Sequence, residues 1–118
     1  MSENGYKVVD IKDISPIPWG NGCKVFSLLN EKEFQVMQET IPPQNEDCMH
    51  YHEFATQFLY VLSGELILKL TDNQITLSKG QGVMLLPRQP HSVYNNSTAT
   101  VTLLTISVPG QINDRKEL

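Results

Sequence analysis

The imidazoles of this 118-residue chain number three: His50, His52 and His91. His50 and His52 are two residues apart, so on an extended strand both rings leave the same face, as neighbouring metal ligands must. Gln57 follows five residues later and opens the run Phe58-Leu59-Tyr60-Val61-Leu62, which reads as a buried strand entering a turn at Ser63-Gly64. If His91 is brought to the same point in space, every histidine of the chain becomes a ligand. The chemistry is then that of a divalent transition ion. Iron, nickel, copper, cobalt, zinc and manganese all remain open, because spacing does not fix geometry.

The elements that must position these residues read as strands throughout. Residues 7–14 alternate apolar and polar like a short first strand. The stretch 15–22, with Pro16, Pro18, Gly20 and Gly22, breaks it. Strands are expected at 23–29 and 34–41, then at 57–62, 64–70, 74–77, 83–86 and 99–108, with turns rich in Asn, Asp, Gly or Pro between them. Glu46 and Asp47 read as solvated turn residues, and Glu53 as part of the loop between the histidines and Gln57. Residues 109–118 read as a partly ordered tail. No stretch shows sustained helical periodicity, so the pattern is that of an all-β sandwich or barrel.

Nine Lys and Arg against thirteen Asp and Glu give a net charge of -4, with no basic run, which argues against nucleic acid as a partner. No apolar stretch approaches a membrane span, and the charged residues among the first apolar ones speak against a signal peptide. Cys23 and Cys48 are therefore expected as reduced thiols in a cytoplasmic protein. The length suits one domain, residues 1–118, with a core from about residue 7 to 108.

With the histidines on strands, the chain resembles the cupin superfamily, small antiparallel β-barrels of the jelly-roll type. The first cupin motif is matched by His50-x-His52, four residues, Gln57, six residues and Gly64. The second is matched by Gly80, five residues, Leu86-Pro87-Arg88, two residues, His91, three residues and Asn95. Three departures stand out. Gln44 occupies the first motif's initial glycine, Leu86 and Arg88 replace the proline and glycine of a P-x-G turn, and Gln57 replaces a glutamate. The resemblance implies a metal site of His50, His52, Gln57 and His91, a small-molecule ligand, and a homodimer paired through edge strands near 23–29 or 7–14.

Gln57 is the consequential change. An amide oxygen offsets none of a cation's charge, so the site should draw an anionic molecule, and a weakly held amide leaves positions open for it. Alternatively, Gln57 hydrogen-bonds a histidine or water beside the metal. Leu59 and Val61 follow Gln57 at even steps, and Val93 and Asn95 follow His91, so these four should line the cavity; Asn95 alternatively forms a turn. Arg88 is an anchor for a carboxylate or a solvated turn residue. Phe26, Phe34, Val36, Met37 and Leu104 read as plain core. Open positions on a three-histidine centre favour dioxygenase-like chemistry. Isomerase or lyase chemistry ranks below it, and because no Glu or Asp falls on a motif position facing the metal, a metal-free epimerase, which needs a proton acceptor, is disfavoured. A binding or sensing module with a structural metal is the non-enzymatic alternative.

Overall fold

The computed structural model describes residues 5–118. A 3₁₀ turn, Ile11–Asp13, precedes twelve strands: β1 Ile17–Trp19, β2 Cys23–Asn30, β3 Gln35–Ile41, β4 Asn45–Glu46, β5 His50–His52, β6 Thr56–Ser63, β7 Glu65–Lys69, β8 Gln74–Ser78, β9 Gly82–Leu85, β10 Ser92–Asn95, β11 Val101–Val108 and β12 Arg115–Glu117. They form a six-stranded sheet in the order β1-β2-β3-β11-β6-β9, a four-stranded sheet β4-β10-β7-β8, and the pair β12-β5, every pairing antiparallel. The expected all-β barrel of the jelly-roll type is what the chain adopts. Among the described residues no helix is long and apolar enough to cross a membrane.

Strand β11 shows why the site lies at one end. Its inward residues are Val101, Leu103, Thr105 and Ser107, all buried, so one face changes from apolar to polar along its length. Strand β6 repeats the gradient in register: Gln57 pairs with Ser107, Leu59 with Thr105 and Val61 with Leu103. The apolar ends meet Ile41, Leu66 and Leu68 in a closed core, and the polar ends leave room for ligands. Burial of the apolar inward positions, worth about 1.5–3 kcal/mol for each large side chain, fixes the register. A one-residue slip would turn Val101, Leu103 and Val61 to solvent.

The first expected strand is absent. Residues 7–14 find no partner, and Asp10 instead accepts a hydrogen bond from the Lys12 amide at 3.1 Å to cap the 3₁₀ turn. The segment expected to break pairing supplies β1, whose register with β2 places Pro18 opposite Lys24. An outermost strand tolerates proline because its outer N–H has no ladder to join. Strand β1 therefore covers β2, so 23–29 lies inside the sheet and 7–14 is not a strand.

The C-terminal segment is also ordered in a way its sequence hides. Strand β12 pairs with β5, setting Arg115 opposite His52 and Glu117 opposite His50, while Asp114 is 4% exposed. The motif substitutions keep the backbone they replace. Gln44 has φ 65° and Arg88 has φ 66°, the left-handed conformation that glycine adopts without strain.

Candidate metal centre

His50 and His52 are carried by β5, and an antiparallel bridge joins His50 to His91, each amide donating to the other's carbonyl at 2.8 and 3.0 Å. One ring nitrogen from each of the three histidines lies within 4.8 Å of the others, the only such cluster of His, Cys, Asp or Glu among the described residues. Ring centroids are 4.3 Å apart for His50 and His91, 5.3 Å for His50 and His52, and 6.1 Å for His52 and His91.

The hydrogen bonds of the rings select the atoms that face the centre. Nδ1 of His50 lies 2.8 Å from the Cys48 carbonyl, Nδ1 of His91 2.9 Å from the Gln89 carbonyl, and Nδ1 of His52 3.0 Å from Oδ1 of Asp114. Carbonyls and carboxylates only accept, so each Nδ1 carries the proton and donates it, and each Nε2 keeps its lone pair. That is the tautomer and the support a metal-bound imidazole requires. Burial lowers the pKa of His50, and pushes that of His91 down to about 4, so both rings stay neutral at pH 7. The donor set fits a divalent transition ion.

Asp114 is the support that sequence reasoning missed. Burial would raise its carboxyl, but the N–H groups of Phe54, His52 and Ala55 outweigh it and hold the pKa below the usual range. Its Oδ2 accepts from the amides of Phe54 and Ala55 at 2.8 and 2.9 Å. The loop between β5 and β6 and the orientation of His52 thus hang on one side chain sixty-two positions from His52.

The histidines open on a cavity of about 470 Å³. Gln57, Leu59 and Val93 are in its wall. Gln57 is buried and gives its Nε2 to Oγ of Ser107 at 2.9 Å, which leaves the amide oxygen as its remaining polar atom. Val61 and Asn95 are not in the wall: even steps beyond Leu59 and Val93 enter the closed core. Asn95 is fully buried there, donating to the carbonyls of Ile41 and Ala99 at 2.7 and 2.8 Å. Arg88 is exposed on its turn, where its amide donates to the His52 carbonyl and Nη1 to the Glu53 carbonyl.

Other residues form the rest of the wall. Met37 and Val25 line the cavity and lie outside the buried core cluster, while Leu103 belongs to both; their neighbours Phe26 and Leu104 are not in the wall. Apolar residues at successive positions hid the phase of both strands. The cation in the wall is Arg115, held by Asp47 through Nη1 at 3.2 Å and Nη2 at 2.9 Å, with Glu117 at 3.4 Å. Asp47 is therefore a wall residue, not a solvated turn residue.

A carboxyl from outside the two motifs also lines the cavity. Glu39 of β3 lines the same cavity and accepts from Thr105 Oγ1 at 3.2 Å. Burial raises its pKa, with Asp47 adding to the rise. Thr105, Trp19 and Arg115 oppose it. Trp19 Nε1 is buried without a hydrogen bond of standard geometry, yet it lies close enough to Glu39 to favour the anion.

Known proteins agree with this architecture. The family model of the cupin domain matches residues 37–107. An uncharacterized protein of Methanocaldococcus jannaschii is 20% identical over 110 residues, 89% of this chain and 88% of that one. Among solved structures, the polyketide cyclase RemF from Streptomyces resistomycificus superposes with a TM-score of 0.82 at 18% identity, covering 96% of this chain and 85% of its own. A predicted oxalate decarboxylase from Thermotoga maritima gives 0.79 at 20% identity, covering 87% and 99%. The chain belongs to the cupin family.

Proposed function

We propose that this cupin is a metal-dependent enzyme acting on a small anionic molecule inside the barrel, by proton-transfer chemistry of the isomerase or lyase type. The observation that carries the reading is the convergence of three Nε2 lone pairs on a cavity that also holds the Glu39 carboxyl. His50, His52 and His91 would hold the ion, with the Gln57 oxygen as a fourth ligand. When bound, the ion supplies positive charge and Lewis acidity to oxygen atoms of the ligand. The chain's own residues do the rest. The apolar wall of Leu59, Val93 and Leu103 excludes water, and the Arg115 guanidinium, paired with Asp47 and Glu117, stands in the same wall.

Dioxygenase-like chemistry is the second reading, favoured by Gln57 in place of a carboxylate, which leaves the ligand set uncharged. One comparison separates the two. Protein loaded with zinc or with ferrous iron should bind about one ion per chain, and His52→Ala or His91→Ala should bind far less. Turnover that needs iron and consumes oxygen would overturn the proton-transfer reading. Binding of no divalent metal by any preparation would overturn both.

A homodimer and a cytoplasmic setting complete the proposal. Supporting the first, Phe58 and Met84 are cross-strand partners on the outer face of the six-stranded sheet, 40% and 63% exposed. Supporting the second, Cys23 and Cys48 are both free thiols.

A further inference from the structure

We infer that Glu39 is the catalytic base of this site, and that the molecule it acts on is a small carboxylic acid bearing a carbonyl group beside an acidic C–H bond. The inference rests on the metal-dependent reading above and deepens it.

Placement is the first argument. Glu39 reaches the cavity from β3 of the six-stranded sheet, whereas His50 and His91 come from the β5 and β10 side. Its carboxylate is not in the cluster of ligand atoms within 4.8 Å of one another. Glu39 is thus in the cavity with the histidines without being one of the ligand set, and a small molecule chelated at the histidines has the carboxyl as a neighbour rather than a competitor.

Availability is the second argument. Three carboxylates line the cavity: Glu39, Asp47 and Glu117. Asp47 and Glu117 are committed to Arg115. Glu39 has one hydrogen bond, from the Thr105 hydroxyl to Oε2. Its surroundings are Val25, Met37 and Leu103, an apolar lining that burial makes unfavourable for the anion. A carboxyl held above its ordinary range is a stronger base once ionised, and it is closer to operating pH. The charged and titratable groups around it are Asp47, Arg115, the buried Cys23 thiol, whose pKa burial raises, and the three imidazoles across the cavity.

The step balances without an oxidant or reductant. Ionised Glu39 takes the proton of the C–H bond, forming an O–H bond. The C–H electron pair passes into the adjacent carbonyl to give an enolate, whose negative charge a metal held by His50, His52 and His91 would offset. Return of the proton from Glu39 to the same or the neighbouring carbon restores the base and yields exchange or isomerisation. If a β leaving group departs instead, the result is elimination.

Two measurements on the full chain test this. In the first, metal-free protein labelled with ¹³C at the glutamate carboxyls is titrated by NMR, and Glu39→Gln identifies the resonance. A Glu39 signal titrating above the ordinary value of 4.5 is expected; titration at or below it would overturn the proposal. In the second, zinc-loaded protein is incubated with pyruvate in D₂O and exchange of the methyl protons is followed. Wild type should exchange faster than free zinc. Glu39→Gln, at equal zinc occupancy, should lose roughly a hundredfold or more, the usual scale of general-base catalysis, with partial rescue in Glu39→Asp. Exchange within threefold of wild type in Glu39→Gln, or none in wild type, would overturn the assignment while leaving the metal site standing. Failure to bind zinc would instead remove the metal-dependent reading and, with it, the role of Glu39 as its base.

Discussion

Replacing Asp114 by Asn should loosen the metal centre from a position outside the ligand set. Asp114 is 4% exposed, with Oδ1 on His52 and Oδ2 on the amides of Phe54 and Ala55. Asparagine has one oxygen for these two sides. If that oxygen keeps the two amides, the amide NH₂ meets the Nδ1–H of His52 and the ring loses its anchor; if it keeps His52, two buried N–H groups lose theirs. A hydrogen bond to a charged acceptor contributes about 1.5–3 kcal/mol, and an abandoned buried donor costs about 1–3 kcal/mol. The metal-free variant should therefore lose about 2–3 kcal/mol. At about 4 °C per kcal/mol for a domain of this size, Tm should fall by about 8–12 °C. In the arrangement that abandons His52, zinc affinity should fall about 10–100-fold, as for other residues that orient metal-bound imidazoles. A thermal melt of the metal-free protein and a competition titration against a zinc-chelating dye read the two effects. A variant with Tm within 2 °C of wild type and affinity within twofold would refute the role given to Asp114.

The metal-free protein should lose stability on mild acidification. His91 is neutral in the fold until about pH 4, whereas the unfolded imidazole protonates near 6.5. Its contribution is complete above 6.5, declines as pH falls towards 4, and at about 1.4 kcal/mol per pH unit amounts to about 3.5 kcal/mol. Denaturant melts across that range check it, and His91→Gln should flatten the slope. Gln57→Glu should tighten zinc at least tenfold, about 1.4 kcal/mol, a part of the Coulomb energy of about 4 kcal/mol for unit charges 4 Å apart at an effective dielectric of 20. The same variant should weaken oxalate binding to the zinc-loaded protein, as isothermal titration would show. Arg88→Gly should raise the chemical-denaturation stability by about 1 kcal/mol, because left-handed backbone is strained for any residue but glycine. Met84→Lys should convert a dimer to monomers in sedimentation velocity, and an unchanged sedimentation coefficient would exclude this face.

The histidine cluster was legible because its spacing rules are local. A period of two puts His50 and His52 on one face, and a tight bridge brings His91 alongside. The even-step rule also found Leu59 and Val93. It failed at Val61 and Asn95 because alternation gives the face of a strand and not the depth along the barrel. Strands β2, β3 and β11 carry apolar residues on both faces, so Met37, Leu103 and Val25 were not separable from Val36, Leu104 and Phe26 by pattern. Glu39 was hidden for the same reason: it stands in Gln38-Glu39-Thr40, where no alternation marks an inward face. Asp114 and Arg115 follow Pro109-Gly110 in a polar segment, and only the pairing of β12 with β5 brings them to the histidines. The aligned Gln44 and Arg88 were the opposite case: the sequence showed lost glycines, and the backbone kept their conformation.

The charges around the cavity set a condition on its chemistry. A dipositive ion held by three neutral imidazoles would share the cavity with Arg115, which has Asp47 and Glu117 beside its guanidinium. Arg115 and these two carboxylates together carry one net negative charge, so ion and mouth leave one positive charge uncompensated when Glu39 is protonated. A monoanion then fits the cavity best. Ionising Glu39 removes that surplus and weakens anion binding, yet the ionised form is the one able to take a proton. Binding therefore favours the low side of the Glu39 titration and proton removal the high side. Burial, which raises the Glu39 pKa, narrows the gap between the two demands, because it extends the neutral acid to higher pH and makes the conjugate base stronger. The apolar residues around Glu39 are in this sense part of the chemistry: replacing Met37 or Leu103 with a polar residue should lower the Glu39 pKa and separate the two demands.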